Sequence, residues 1–131
     1  MLLYRPFENR LNHALSKHHL YRAQWSIMYY LNNDGSVTLV ELSHYLGVEK
    51  PTVTRTIAKL GEMGYLETVP TKDKREKKMQ LTVVGRKVYQ EVRATIDEFE
   101  QNILKGISEE EQLEGIRLMS LIRKNLMQGE L

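Results

Sequence analysis

The residues with the most chemistry to offer lie in the middle of the chain. Lys50, Pro51, Thr52, Val53, Thr54 and Arg55 stand together within VEKPTVTRTIAKL, residues 48–60, which ends on Lys59 and Leu60. A second basic group, Lys72, Lys74, Arg75, Lys77 and Lys78, follows a little further on with Asp73 inside it. Cations set among short hydroxyls are equipment for holding a polyanion. Arginine pairs bidentately with guanine O6 and N7, and threonine meets phosphates, base edges or a thymine methyl. From Lys50 to Lys78 eight basic residues stand against four acidic ones, +4, so the rest of a chain of net charge +2 carries −2. One region, not the whole surface, is equipped in this way. The ordinary alternative for such a charge cluster is solvated surface.

Other chemistries have little to draw on. There is no cysteine, which excludes disulfides, thiolate metal sites and cysteine nucleophiles. The glycines show neither a dinucleotide nor a P-loop spacing, and Ser43 beside His44 does not make a triad, so neither an enzyme nor a cofactor is expected. No two of His13, His18, His19 and His44 lie four residues apart, and no metal site is expected. No apolar run approaches the roughly 18 residues of a membrane span. The start, MLLYRPFENR, is too short and too quickly charged for a signal peptide. A cytoplasmic protein with no membrane partner is expected. The 131 residues, 41% hydrophobic and 27% charged, suit one compact domain with a real core.

The elements that must position the basic residues follow from periodicity and stop signals. Leu3, Phe7, Leu11, Ala14 and His18 predict an amphipathic helix over 4–18 with Pro6 in its first turn. A second helix over 21–32 ends in Asn32, Asn33, Asp34 and Gly35. Thr38 and Glu41 form a capping box for a short helix through Leu39, Leu42 and Leu46, which Gly47 breaks. The helix of the opening stretch comes next and stops at Gly64. Residues 65–70 and 77–82 then alternate apolar and polar about TKDKRE, a two-stranded hairpin. Val84, Val88, Val92, Ile96, Phe99 and Ile103 mark one long helix, and Ser108 with Glu111 caps a last one running to about Met127. The fold class is therefore mainly α with a small β-hairpin wing. A winged helix-turn-helix over 34–82 is flanked by N- and C-terminal dimerisation helices at 1–20 and 83–131, in one domain of residues 1–131.

Val53, Ile57 and Leu60 fall within about 60° of one another on a helical projection and face a core. Arg55 lies nearly opposite, flanked by Pro51, Ala58 and Lys59. That slim leading face, basic further along, suits a major groove. Proline is favoured in a first turn, where its missing N–H has no partner to lose. Lys50 is the odd choice, since a cation at the positive end of a helix dipole costs roughly 0.3–1 kcal/mol; a bound phosphate reverses the penalty. In the hairpin the crowded lysines repel one another unless a polyanion is present, although lysine also guards sheet edges.

These residues together resemble the MarR family of winged-helix transcriptional regulators. The likeness is carried by Gln24 and Trp25, by Glu41, Leu42, Leu46, Gly47 and Val48, and by Lys50 through Arg55. Leu60, Gly64 and Leu66 extend it, and Asp73, Lys74, Arg75, Leu81, Thr82 and Gly85 complete it. The resemblance implies a homodimer with interlocked terminal helices, recognition helices in major grooves and a wing arginine in an adjacent minor groove. It implies Arg75 as that arginine and Asp73 as the carboxylate that orients it. The residues expected to face double-stranded DNA are Thr38, Lys50, Pro51, Thr52, Thr54, Arg55, Lys59, Lys72, Asp73, Lys74, Arg75 and Lys77. Glu49 stands where the family often has a serine cap, and Gly61 sits inside a helix at a cost of about 1 kcal/mol relative to alanine.

The last helix carries Leu113, Ile116, Leu118, Met119, Leu121, Ile122, Leu126 and Met127, too many for a single stripe. A second copy is the natural cover, with Leu3, Phe7 and Leu11 joining Leu113, Ile116, Leu121, Ile122 and Leu126 at the dimer interface. Tyr21, Trp25 and Tyr29 form an aromatic stripe that either packs in the core or lines a pocket. The resemblance implies such a pocket for a small molecule, here a small aromatic or phenolic effector. The function expected is a sequence-specific double-stranded DNA-binding regulator acting on an inverted-repeat operator. Repression is the expected sense, with activation left open. A winged helix used only for protein contacts is the alternative.

Overall fold

A computed structural model describes residues 3–73 and 77–129. The expectations for Lys74 and Arg75 therefore lie outside the described residues. The elements run α1 (Tyr4–Ser16), α2 (Arg22–Asp34), β1 (Val37–Thr38), α3 (Leu39–Leu46), α4 (Lys50–Glu62), β2 (Leu66–Val69), β3 (Lys78–Leu81), α5 (Val83–Ile103) and α6 (Glu109–Gln128). The chain divides into two compact units, Met1–Phe99 and Glu100–Leu131.

In the first unit Leu15, Leu20, Ile27, Met28, Leu31, Leu42, Val53, Leu60 and Val92 are fully enclosed. They come from α1, the turn after it, α2, α3, α4 and α5, so one core ties the helix-turn-helix to its flanking helices. Leu11 is also buried here, as part of the same core cluster. Phe7 is half-buried against Phe99, ring centroids 5.9 Å apart, and Leu3 is exposed.

Both capping boxes form. The Thr38 hydroxyl accepts from the Glu41 N–H at 3.1 Å, and the Glu41 carboxylate accepts from the Thr38 N–H at 3.4 Å. At α6 the Ser108 hydroxyl accepts from Glu111 N–H at 3.1 Å while Ser108 N–H donates to Glu111 Oε1 at 2.9 Å. The Ser108 hydrogen bonds hold the Glu111 carboxyl below the usual carboxylate range.

Three local features differ from the sequence-based expectation. Helix α1 ends at Ser16 rather than residue 18, because His19 takes the left-handed conformation, φ 59°, that a glycine would have announced. His19 N–H then bonds Ser16 O and Leu20 N–H bonds Leu15 O, a Schellman-type stop. Helix α2 runs on to Asp34, since Gly35, φ 83°, is the residue that ends it. The wing is a three-stranded antiparallel sheet in the order β1-β3-β2, not a lone hairpin. Val37 pairs with Met79 and Thr38 with Lys78 on one side of β3; Leu66 pairs with Leu81 and Val69 with Lys78 on the other. A two-residue strand is too short to show a period, which is why β1 escapes a pattern reading. It matters mechanically, because it fastens the wing to the entrance of α3.

Gly61 is helical and exposed, and an added Cβ would meet nothing within 4 Å. Gly61→Ala is therefore expected to raise the unfolding free energy by about 1 kcal/mol in denaturant titration. No gain, or a loss, would show that the position is crowded in the functional assembly.

Candidate nucleic-acid interface

Helix α4 has one buried and one exposed face. Val53 and Leu60 are enclosed and Ile57 is half-buried, while Lys50, Pro51, Thr52, Thr54, Arg55, Ala58 and Lys59 line the other side, all of them exposed. The turn before the helix sets this orientation. Gly47 sits at φ 64°, with its N–H on His44 O and the Val48 N–H on Ser43 O, so α3 stops and the chain swings into α4. Glu49 is the N-cap residue; its carbonyl accepts from the Thr52 and Val53 N–H groups, but its carboxylate makes no cap hydrogen bond. The start of α4 thus presents the Lys50 side chain and N–H without a side-chain cap, and this cationic end is open to an anion.

Arg55 is held lightly. Its Nη2 donates to Thr52 Oγ1 at 3.4 Å, a long bond that leaves the guanidinium fork able to turn outward. The Thr56 hydroxyl is occupied on the Thr52 carbonyl at 3.0 Å, while Thr52 and Thr54 are exposed. Lys59 approaches Glu62 at 3.8 Å with both side chains well exposed, a pair worth little in water. Thr38, by contrast, has its hydroxyl engaged by Glu41, so its first duty is the cap of α3.

In the wing, Lys72, Asp73 and Lys77 are exposed, and the Thr71 hydroxyl donates to the Asp73 carbonyl at 2.6 Å. Gln80 Nε2 donates across the sheet to Glu67 Oε1 at 2.8 Å, bracing β3 on β2. Between this wing and α4 lies a cleft of about 320 Å³, lined by Leu39, Thr54, Ile57, Ala58, Thr68, Lys77 and Met79. Leu39, Thr68 and Met79 carry no local signal in the sequence. They become neighbours only when α3, β2 and β3 close against α4.

The aromatic stripe does not face one way. Trp25 stacks on Tyr89, centroids 5.0 Å apart and planes 9° from parallel, and is buried; Tyr21 is 70% exposed; Tyr29 is half-buried beneath the Arg93 guanidinium, 5.8 Å from its ring centre. Burial pushes the Tyr89 phenol above its ordinary value. Of the histidines, His18 places Nε2 2.8 Å from Thr95 Oγ1 and so ties the α1–α2 turn to α5.

A helix-turn-helix with a basic outward face on its second helix, followed by a three-stranded wing, defines a winged-helix DNA-binding protein. The family model described as MarR matches residues 20–77. An HTH-type transcriptional regulator of Bacillus subtilis, YwoH, is 38% identical over 108 residues, 82% of this chain and 79% of its own length. Among solved structures, Staphylococcus aureus MarR in complex with salicylate and kanamycin superposes with a TM-score of 0.83 at 30% identity, covering 95% of this chain and 85% of the other. A mutant Escherichia coli MarR in complex with operator DNA gives a TM-score of 0.80 at 23% identity, over 90% and 86% of the two chains, and establishes likeness of fold. The chain belongs to the MarR family. It is a DNA-binding transcriptional regulator of the winged helix-turn-helix type, not an enzyme.

Proposed function

We propose that this regulator acts in the cytoplasm as a homodimeric repressor on an inverted-repeat operator, with α4 of each subunit in a major groove and each wing in the adjacent minor groove. The observation that carries the reading is the division of α4: Val53 and Leu60 buried, Lys50, Thr52, Thr54, Arg55 and Lys59 exposed on the other side. In this reading Arg55 is the base reader. Lys50 and Lys59 hold phosphates with Lys72 and Lys77, Lys74 and Arg75 complete the wing's contribution, and Asp73 orients Arg75. The dimer reading is supported by α6, whose Leu113, Ile116, Met119, Ile122 and Leu126 are each more than half exposed. Apolar surface of that extent calls for a cover, and a second copy supplies it symmetrically.

Release by a small aromatic acid is part of the proposal. The cleft between α4 and the wing has an apolar floor with Lys77 beside it, and its volume suits a small ligand. An occupant that prefers one spacing of wing and helix shifts DNA affinity only by that preference. The relative from Staphylococcus aureus was solved with salicylate. Trp25 favours this location over the aromatic stripe, because its indole is already stacked in the core.

The test is a titration of duplex selected from a random library, repeated across salt. The expected log K falls linearly with log[salt], at a slope of about −0.9 per phosphate neutralised, with two chains per duplex. A flat salt response, or one chain bound per duplex, would refute the reading.

A further inference from the structure

The triad Leu81, Thr82 and Gly85 stands between the wing and α5 and has no evident part in touching DNA. Its geometry gives it another task. Helix α4 ends in a Schellman motif in which Gly64, φ 82°, donates its N–H to Gly61 O at 3.0 Å while the Tyr65 N–H reaches Leu60 O at 3.0 Å. The Gly64 carbonyl, left over by that motif, accepts from the Thr82 hydroxyl at 2.6 Å. The same hydroxyl accepts from the Gly85 N–H at 2.9 Å, which is the bond an N-cap residue makes to the first turn of its helix, here α5. One oxygen therefore closes the end of α4 and the start of α5 together.

The surrounding backbone is drawn in just as tightly. Thr82 N–H donates to Tyr65 O at 3.0 Å, and Arg86 Nη1 donates to Leu81 O at 3.0 Å. A Cβ at Gly85 would collide with the Tyr65 carbonyl oxygen and lie 3.0 Å from its carbon, so only glycine lets α5 approach the exit of α4 this closely. A hydroxyl has one proton and two lone pairs, and both kinds of capacity are used. Threonine and serine can do this; a carboxylate accepts but has no proton to give.

We infer that Thr82 is a positioning residue that locks recognition helix α4 to α5, so that any reorientation of α5 is delivered to the reading face rather than absorbed at the joint. This rests on the reading of α4 as the DNA-contacting helix. The latch itself is a claim about α4 and the part of α5 that lies within the unit Met1–Phe99, and it can be judged without DNA.

Two substitutions separate the latch from the helix cap. Thr82→Ser keeps both bonds; Thr82→Asp keeps an acceptor for the Gly85 N–H, and hence the cap of α5, but faces Gly64 O with no donor. The chain has no cysteine, so nitroxides placed by Glu62→Cys on α4 and Glu98→Cys on α5 are free of background. Labelled chain diluted into unlabelled chain reports the distance within one subunit. The expected result is one narrow distance distribution for the parent and for Thr82→Ser, and a broadened or displaced one for Thr82→Asp. Without labels, Thr82→Asp should lose about tenfold in the ratio of affinity for a library-selected duplex to affinity for a random duplex of equal length, with Thr82→Ser restoring it. The ratio cancels the uniform effect of an added negative charge on phosphate attraction. An unchanged distance distribution in folded Thr82→Asp overturns the inference. So does a Thr82→Ser variant as broad as Thr82→Asp, which would make the methyl group the holding element. If the parent binds no duplex, the reading of α4 fails, while the distance measurement still decides the latch.

Discussion

Trp25→Ala is expected to remove roughly 3–5 kcal/mol of stability, the usual cost of emptying a buried aromatic site. Trp25 is 7% exposed and stacked on Tyr89, so the deletion leaves a cavity faced by a tyrosine whose own ring loses its partner. Tyr21, one turn earlier on the same helical stripe, is 70% exposed, and Tyr21→Ala should change stability by no more than about 0.5 kcal/mol. Denaturant titration of both variants at one protein concentration checks the contrast, since the stability of an oligomer depends on concentration. A domain of this size has a total of about 5–15 kcal/mol to lose, so the tryptophan variant should be visibly crippled. A stable Trp25→Ala protein with an altered response to aromatic acids would reverse the assignment and make the stripe a ligand site.

That contrast also marks where pattern reading stops. Spacing places Tyr21, Trp25 and Tyr29 on one helix, but only the fold shows that Tyr89, far along the chain, is the surface on which Trp25 rests. Signals that are local in the chain are legible: the Thr38–Glu41 and Ser108–Glu111 boxes and the glycine turns at Gly47 and Gly64 all form. The faces of α4 are legible too, because 3.6-residue periodicity alone separates Val53 and Leu60 from Arg55. The stop of α1 is not, because a histidine takes the role that glycine usually advertises. Nor is the cleft between wing and helix, whose walls come from α3, α4, β2 and β3. The double duty of Thr82 is hidden for the same reason: its acceptor, the Gly64 carbonyl, is brought near only by the wing.

Helix α4 gives up stability where it would meet its partner. Its N-cap glutamate makes no side-chain cap, its first turn contains no acid, and Lys50 occupies the first helical position. A capping side chain is commonly worth about 1 kcal/mol, and a cation at this end subtracts a few tenths more. Gly61 weakens the other end. These losses are tolerable because Val53 and Leu60 anchor the helix in the core. A phosphate at the N-terminus would meet the Lys50 N–H and turn the Lys50 side chain from a liability into a ligand for it.

Arg55→Ala should therefore damage recognition and leave the fold alone. The side chain is exposed and makes one long bond, to Thr52, so stability should move by no more than about 0.5 kcal/mol. Without its bidentate guanine pair, each half-site should be weakened by roughly 1–3 kcal/mol, about five- to 150-fold in affinity, and only on duplexes carrying the preferred base. The selected-site profile should flatten at one symmetric pair of positions while affinity for random duplex stays nearly constant. Lys50→Ala and Lys59→Ala should do the reverse, weakening all duplexes alike and reducing the salt slope by about one counterion for each phosphate no longer neutralised. The two signatures are independent, so each residue can be assigned separately. An unchanged profile in Arg55→Ala would move base reading to Thr52 and Thr54, the other exposed polar side chains on the leading turns, and leave Arg55 as one more phosphate ligand.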